Sequence, residues 1–150
     1  MKPLLLVANT PSNNTLILRN AVQKGVAESG YRIMVKPPLE ATAADVLDCS
    51  GIIIGTTENF GYMSGQIKDF FERIYYPSLE KTEALPWALY VKAGLDGTGT
   101  INSVERIVTG LKWKAVQEPL LLHGNFRDEF LKECETLGAG MAEGLKLGIF

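Results

Sequence analysis

The chain has 150 residues, 46% hydrophobic and 21% charged, with 15 basic against 17 acidic side chains and a formal net charge of -2. A chain of this length buries roughly 70% of the surface its unfolded form exposes, so residues 1–150 are expected to form a single domain without metal or disulfide staples. The near-balanced charge, spread without blocks of one sign, argues against nucleic acid and anionic membrane as partners.

From the amino end, Leu4 to Ala8 is an apolar run that reads as a strand. It is too short for the core of a secretory leader, and no stretch is long and apolar enough for a spanning helix, so a soluble, cytoplasmic protein is expected. Asn9-Thr10-Pro11-Ser12-Asn13-Asn14-Thr15 follows as a polar loop, and Leu18, Ala21, Val22, Gly25 and Val26 then mark the apolar side of a first helix. A second strand spans Tyr31 to Lys36, after which Pro37-Pro38 breaks the chain and leaves room for a short helix over Ala43 to Leu47. Gly51-Ile52-Ile53-Ile54-Gly55 lacks polar alternation, as expected of a strand covered on both faces.

Helical spacing returns at Met63, Ile67, Phe70, Phe71 and Ile74. A fourth strand covers Trp87 to Lys92, a fourth helix carries Ile101, Val104, Val108 and Leu111, and a fifth strand is read over Ala115 to Leu122. The last helix places Phe126, Phe130, Cys134, Leu137, Met141 and Leu145 on one face; Gly138, Gly140, Gly144 and Gly148 weaken its second half, and its last turns are expected to fray. Strand alternating with helix specifies an α/β fold, and right-handed crossovers favour a doubly wound, three-layer arrangement with a five-stranded parallel sheet in the order 2-1-3-4-5. Ligands of such sheets lie beyond the carboxyl ends of the strands, at the point where strands one and three diverge.

The two loops expected there are the unusual ones. In Asn9 to Thr15, the unpaired amides of a helix start, the helix dipole and the hydroxyls of Thr10, Ser12 and Thr15 make an anion site without lysine or arginine. The plain alternative is a helix cap and turn. In Gly55-Thr-Thr-Glu-Asn-Phe-Gly-Tyr-Met-Ser-Gly-Gln-Ile-Lys68, Thr57, Glu58, Asn59, Phe60, Gly61 and Tyr62 combine aromatic walls with a flexible glycine, Phe60 and Tyr62 being candidates to stack on a flat ring. Their alternative roles are a packing staple for Phe60 and a surface aromatic for Tyr62. A third loop, Ala93-Gly94-Leu95-Asp96-Gly97-Thr98-Gly99, has the glycine density for close backbone approach at Ala93, Gly94 and Gly97, or is a simple turn into a helix cap.

The run from Gly55 resembles the flavin loop of the flavodoxin superfamily, closest to the tryptophan-repressor-binding-protein type of FMN quinone oxidoreductase, through Gly55, Thr56, Phe60, Gly61, Met63, Gln66, Lys68 and Phe70. Ser12-Asn13-Asn14-Thr15 resembles the superfamily's Thr-Gly-Asn-Thr phosphate loop, with Asn13 replacing the glycine and Pro11 removing one amide. The resemblance implies an FMN site built from Asn9, Thr10, Ser12, Asn13, Asn14 and Thr15 around the phosphate and from Thr57 to Tyr62, Ala93, Gly94 and Gly97 around the ring. At Gly61 it implies a peptide that can reorient when the ring is protonated. The relatives' arginine before Phe-Gly is Asn59 here, and Glu58 adds negative charge, expected to lower the flavin potential.

Other chemistry-bearing residues read as structural. His123, the one histidine, stands past the fifth strand at the edge of the site, and the position of the quinone reductases' flavin-facing histidine holds Lys112-Trp113-Lys114. Cys49 and Cys134, the two cysteines, have neither disulfide nor metal spacing and read as core thiols of a reduced protein. Glu72, Arg73, Tyr75, Tyr76 and Pro77 form a solvated helix end, or a face toward another subunit of a homo-oligomer. A phospho-receiver is excluded because Asn9-Thr10 and Thr56-Thr57 stand where its acidic residues would be. The reading is an FMN flavoprotein with no catalytic side chain and no metal, transferring electrons or hydride. The weak net charge favours NAD(P)H-dependent reduction of a quinone-like acceptor over electron carriage to a redox protein. The alternative is a flavodoxin-like scaffold or regulatory module that binds no flavin.

Overall fold

The computed structural model describes residues 1–150. In chain order the elements are β1 (Leu4–Ala8), α1 (Asn13–Glu28), β2 (Ile33–Lys36), α2 (Ala43–Leu47), β3 (Gly51–Thr57), α3 (Gly65–Ser78), β4 (Pro86–Ala93), α4 (Thr98–Leu111), β5 (Lys114–Ala115), β6 (Leu120–His123) and α5 (Glu129–Leu147). Every pairing is parallel, and the sheet runs β2-β1-β3-β4, with β5 and β6 together filling the fifth position beside β4. This is the expected doubly wound order.

The alternation of side chains along each strand divides the core between two layers. Leu5, Val7, Ile52, Ile54, Leu89 and Val91 face α2, α3 and α4, where Phe70, Phe71, Ile74, Val104, Val108 and Trp113 meet them. Leu4, Leu6, Ala8, Ile53, Ala88 and Tyr90 face α1 and α5, packing with Leu18, Val22, Val26, Phe130, Cys134 and Met141. Both faces of β1 and of the first five residues of β3 are therefore apolar, which is why Leu4–Ala8 and Gly51–Gly55 show no polar residues.

Three sequence expectations change. The fifth strand is not continuous: Lys114–Ala115 pairs with Pro86 and Trp87, Leu120–His123 pairs with Tyr90 to Ala93, and the four residues Val116 to Pro119 lie opposite only Ala88 and Leu89. Pro119 lacks the amide a ladder needs, and Gln117 turns aside to donate from Nε2 to the Leu137 carbonyl at 3.2 Å. The second strand starts later, at Ile33, because Tyr31 is drawn into the core end, where its hydroxyl donates to Ser50 Oγ at 2.9 Å.

The third change concerns the glycines of the last helix. α5 begins at Glu129, after Phe126, and continues through Leu147, where Gly148 caps it in the left-handed conformation at φ 66°. Gly138 lies against the Val22 carbonyl of α1, and Gly25 of α1 lies against the Glu135 carbonyl of α5, each so close that a Cβ would overlap. The glycines cost helix propensity but permit backbone contact between α1 and α5, and packing wins.

Candidate functional site

The β1–α1 loop begins where β1 and β3 part. The Asn9 amide donates to Gly55 O at 3.0 Å, and the Asn9 Oδ1 accepts from the Thr57 amide at 3.2 Å, so one side chain ties the two strand ends across the divergence. Asn9 is 9% exposed and spends its carbonyl oxygen on this bridge.

Ser12 is the N-cap of α1. Its Oγ accepts from the Thr15 amide at 3.2 Å while Thr15 Oγ1 accepts from the Ser12 amide at 3.0 Å, a reciprocal box. Thr15 Oγ1 also donates its hydrogen to Ser12 O at 2.8 Å, so Thr15 is buried and fully committed. The backbone amides of Thr10, Asn13 and Asn14 have no protein acceptor and remain as the loop's free donors. Asn13 adopts ordinary helical backbone, because the helix already starts there.

The β3–α3 loop is a two-residue hairpin. The Asn59 amide donates to Tyr62 O at 2.8 Å and the Tyr62 amide to Asn59 O at 3.0 Å, with Phe60 at φ 55° and Gly61 at φ 71° between them. Two successive positive φ values with this pair of bonds define a type I′ turn. The Phe60 side chain stands fully in solvent, 105% exposed, and Tyr62 is 42% exposed. A bulky residue in the left-handed region costs of the order of 1–2 kcal/mol, and no burial offsets that cost here. Reversing the Phe60–Gly61 peptide would convert the turn to type II′, whose first central position belongs to glycine. The Cβ of Phe60 opposes the reorientation expected at Gly61.

The hairpin is braced from the third loop and α4. Glu58 accepts from the Leu95 amide through Oε1 at 2.6 Å and from the Gly97 amide through Oε2 at 2.9 Å. Thr100 Oγ1 donates to Tyr62 O at 3.1 Å, and Ser103 Oγ accepts from the Met63 amide at 3.3 Å. Gly99 lies against the Gly61 carbonyl so closely that a Cβ would overlap it. At the hairpin base, Thr56 Oγ1 accepts from the Ser64 amide at 3.0 Å, and Thr57 Oγ1 donates to Asn59 Oδ1 at 2.9 Å.

The three loops thus meet at the carboxyl edge of β1, β3 and β4. Asn9 and Thr57 are joined directly, Glu58 reaches Leu95 and Gly97, and Ala93 is buried at the end of β4 beside Gly94. Sequence reading took Thr100 only as a helix-cap candidate and missed Ser103; their signal is a hydroxyl pair at i, i+3 in the first turns of α4, with Thr100 on the buried face that also carries Val104, Val108 and Leu111. It also missed Lys92, whose ammonium donates to Gly124 O at 2.6 Å at the same edge. Lys68 lies with Nζ 5.8 Å from the Tyr62 ring centre, so a cation stands near the hairpin despite Asn59. His123 ends β6 with an exposed side chain.

The remaining candidates are accounted for locally. Gly55 is glycine because the Tyr90 ring of β4 occupies the space its Cβ would take. Burial pushes the Tyr90 hydroxyl far above its ordinary pKa, against the nearby Arg19 charge, so it stays protonated. Burial likewise pushes Cys49 and Cys134 up to about 12, making both poor nucleophiles. Arg73 is exposed on α3 and donates to Ala41 O at 2.8 Å, Pro38 O at 2.6 Å and Asp69 at 2.8 Å, fastening the β2–α2 connection to α3. Tyr76 is 79% exposed.

No family model and no curated protein matches the sequence. Solved structures do match. A flavodoxin from the domain Archaea superposes with a TM-score of 0.84 at 16% identity, covering 96% of this chain and 99% of that one. A WrbA-like flavodoxin from Agrobacterium tumefaciens gives 0.76 at 15% identity, with 98% and 99% covered. The rubredoxin oxygen:oxidoreductase of the anaerobe Desulfovibrio gigas gives 0.79 at 11% identity; 99% of this chain is covered but only 38% of that larger one. No helix is long and apolar enough to cross a membrane. The parallel order, the two helical layers and these superpositions agree, and the chain has the flavodoxin-like fold.

Proposed function

We propose that residues 1–150 act as one FMN-binding domain that passes electrons or hydride through the flavin. The observation that carries this reading is the Phe60-Gly61 turn: an aromatic ring kept in solvent on left-handed backbone, braced by four contacts from another loop and helix, beside a helix start with free amides. A strained aromatic held in solvent without local benefit supports a ligand contact at this turn.

The donor set fits the cofactor. The Thr10, Asn13 and Asn14 amides and the positive end of α1 suit a phosphate monoester, while Phe60 and Tyr62 suit a planar ring. When bound, FMN supplies reversible one- or two-electron chemistry, and the protein's part is to hold, orient and tune it. Asn9 keeps the phosphate and ring sides in register, and Lys68 supplies positive charge near Tyr62.

Within this class, NAD(P)H-dependent reduction of a quinone-like acceptor is favoured over one-electron carriage to a redox protein. A net charge of -2 gives little steering toward a basic partner. The resistance of Phe60 to peptide reversal also removes a means of adjusting the loop between redox states. The cytoplasm, where reduced nicotinamide is available, is the compartment this reading implies.

A visible absorption spectrum of the purified protein before and after addition of FMN and removal of the excess tests the proposal. A retained flavin with a shifted band supports it and leads to NADH and NADPH oxidation assays with a quinone. Protein that retains no flavin supports the second reading, a flavodoxin-like scaffold. That reading draws on the Ser12–Thr15 box, which spends the Thr15 hydroxyl within the loop, and on Pro11, which offers no amide.

A further inference from the structure

Glu58 stands directly before the Asn59–Tyr62 hairpin, yet its carboxylate turns to the next loop. Each oxygen takes one amide, from Leu95 at 2.6 Å and from Gly97 at 2.9 Å, across 37 and 39 residues of sequence. Gly97 is the N-cap of α4 at φ 73° and makes no side-chain cap bond of its own. The positive end of that helix and two converging amides therefore surround a charge supplied by the chain itself. On its other side Gly97 is packed under Leu121 so tightly that a Cβ would overlap the Leu121 side chain. The Glu58 amide, in turn, donates to Lys92 O at 2.9 Å, so the residue is fixed at both its backbone and its carboxylate.

We infer that Glu58 is a positioning residue that sets the width of the ring-binding slot, joining the Phe60 hairpin to the 94–97 loop as one rigid unit before any ligand arrives. The inference rests on the flavin reading above and changes the expected role of Glu58. Its half-buried carboxylate is turned to the 94–97 loop and held there by two backbone amides, so it acts on the ring by fixing the walls. The same geometry closes the glycine-rich 94–97 loop to a second phosphate group, because two of its amides are already taken.

Glu58→Gln tests the inference with little change in shape. The amide oxygen of glutamine satisfies one backbone N–H, while its NH2 group faces the other donor to donor. In ligand-free protein, exchange at Leu95 and Gly97 should accelerate by about tenfold or more as these bonds are lost, with amides in the middle of β3 and β4, such as Ile54 and Leu89, unaffected. Affinity should fall about tenfold for FMN and for riboflavin alike, since the ring slot is altered and the phosphate loop is not. The visible band of the residual bound flavin should move toward that of free flavin.

Unchanged exchange at Leu95 and Gly97 overturns the clamp, as does unchanged affinity for both flavins or a loss confined to FMN. Glu58→Asp keeps the charge but is one methylene too short to reach both amides, and should also weaken binding; full affinity in that variant would show that charge alone acts and would overturn the bidentate role. Wild-type protein that holds neither flavin overturns the functional reading itself. Flavin-binding wild type with an indifferent Glu58→Gln overturns only the positioning role.

Discussion

The β1–α1 loop and the β3–α3 hairpin sit at the same edge of the sheet but are built in opposite ways. The first satisfies itself: Ser12 and Thr15 bond to each other within three residues, and what remains for a ligand is the ordinary set of free amides at a helix start. The second is held from outside, by Leu95, Gly97, Gly99, Thr100 and Ser103, and exposes a strained aromatic that stabilises nothing in the protein. Local construction leaves the free amides of an ordinary helix start, which tolerate substitution. Distant bracing gives a fixed surface whose shape depends on another part of the chain. In the proposed FMN site, affinity for the phosphate is thus separable from affinity for the ring.

The strongest way to break that contrast is Gly99→Ala. Its new Cβ would meet the Gly61 carbonyl, a backbone atom that cannot swing aside, so thermal or urea unfolding should show a loss of about 2–3 kcal/mol and the hairpin should loosen. A smaller effect of a different kind is expected from Phe60→Ala. The side chain touches nothing, so stability should be unchanged while flavin affinity, measured by fluorescence titration, falls by about 1–2 kcal/mol. A parallel loss of stability would mean that Phe60 is a structural residue. On the other side, Thr15→Ala should cost about 1 kcal/mol of stability through the lost box and weaken FMN without affecting riboflavin. Equal effects on both flavins would erase the distinction between the two loops.

A pH effect of separate origin comes from two buried thiols of the core. Cys49 and Cys134 have folded-state pKa values near 12 against an ordinary 9.0. Below pH 9 both states hold the protons and the thiols add no pH dependence. Between 9 and 12 the unfolded chain ionises first, so stability declines as pH rises through that window. Urea midpoints at neutral pH and above pH 9 should differ in that direction, and a thiol reagent should react at neutral pH only on unfolding.

How much of this was legible in the sequence follows the same division. β1 and β3 announce themselves because strands covered on both faces need unbroken apolar runs, and α2 appears at Ala43–Leu47 as the space after Pro37-Pro38 requires. The Ser12 cap is equally local. The break in the fifth strand was signalled by Pro119 but masked by apolar residues on either side of it. The role of Glu58 was invisible, because nothing near position 58 says that two amides from another loop will converge on it. Gly138 reads in sequence as a weak point of a helix; only the approach of Val22 O turns it into a contact.

The divided strand at the sheet's margin also bears on strand addition by another chain. An uninterrupted parallel edge exposes a row of free amides and carbonyls on which another chain can add a strand and begin to aggregate. Here that margin is a two-residue piece carrying Lys114, a detour ending in Pro119, and a four-residue piece. Neither piece is long enough to template an incoming strand, and the charge and the proline oppose one further. The irregularity that spoils the fifth strand thus leaves little of that one margin open to strand addition.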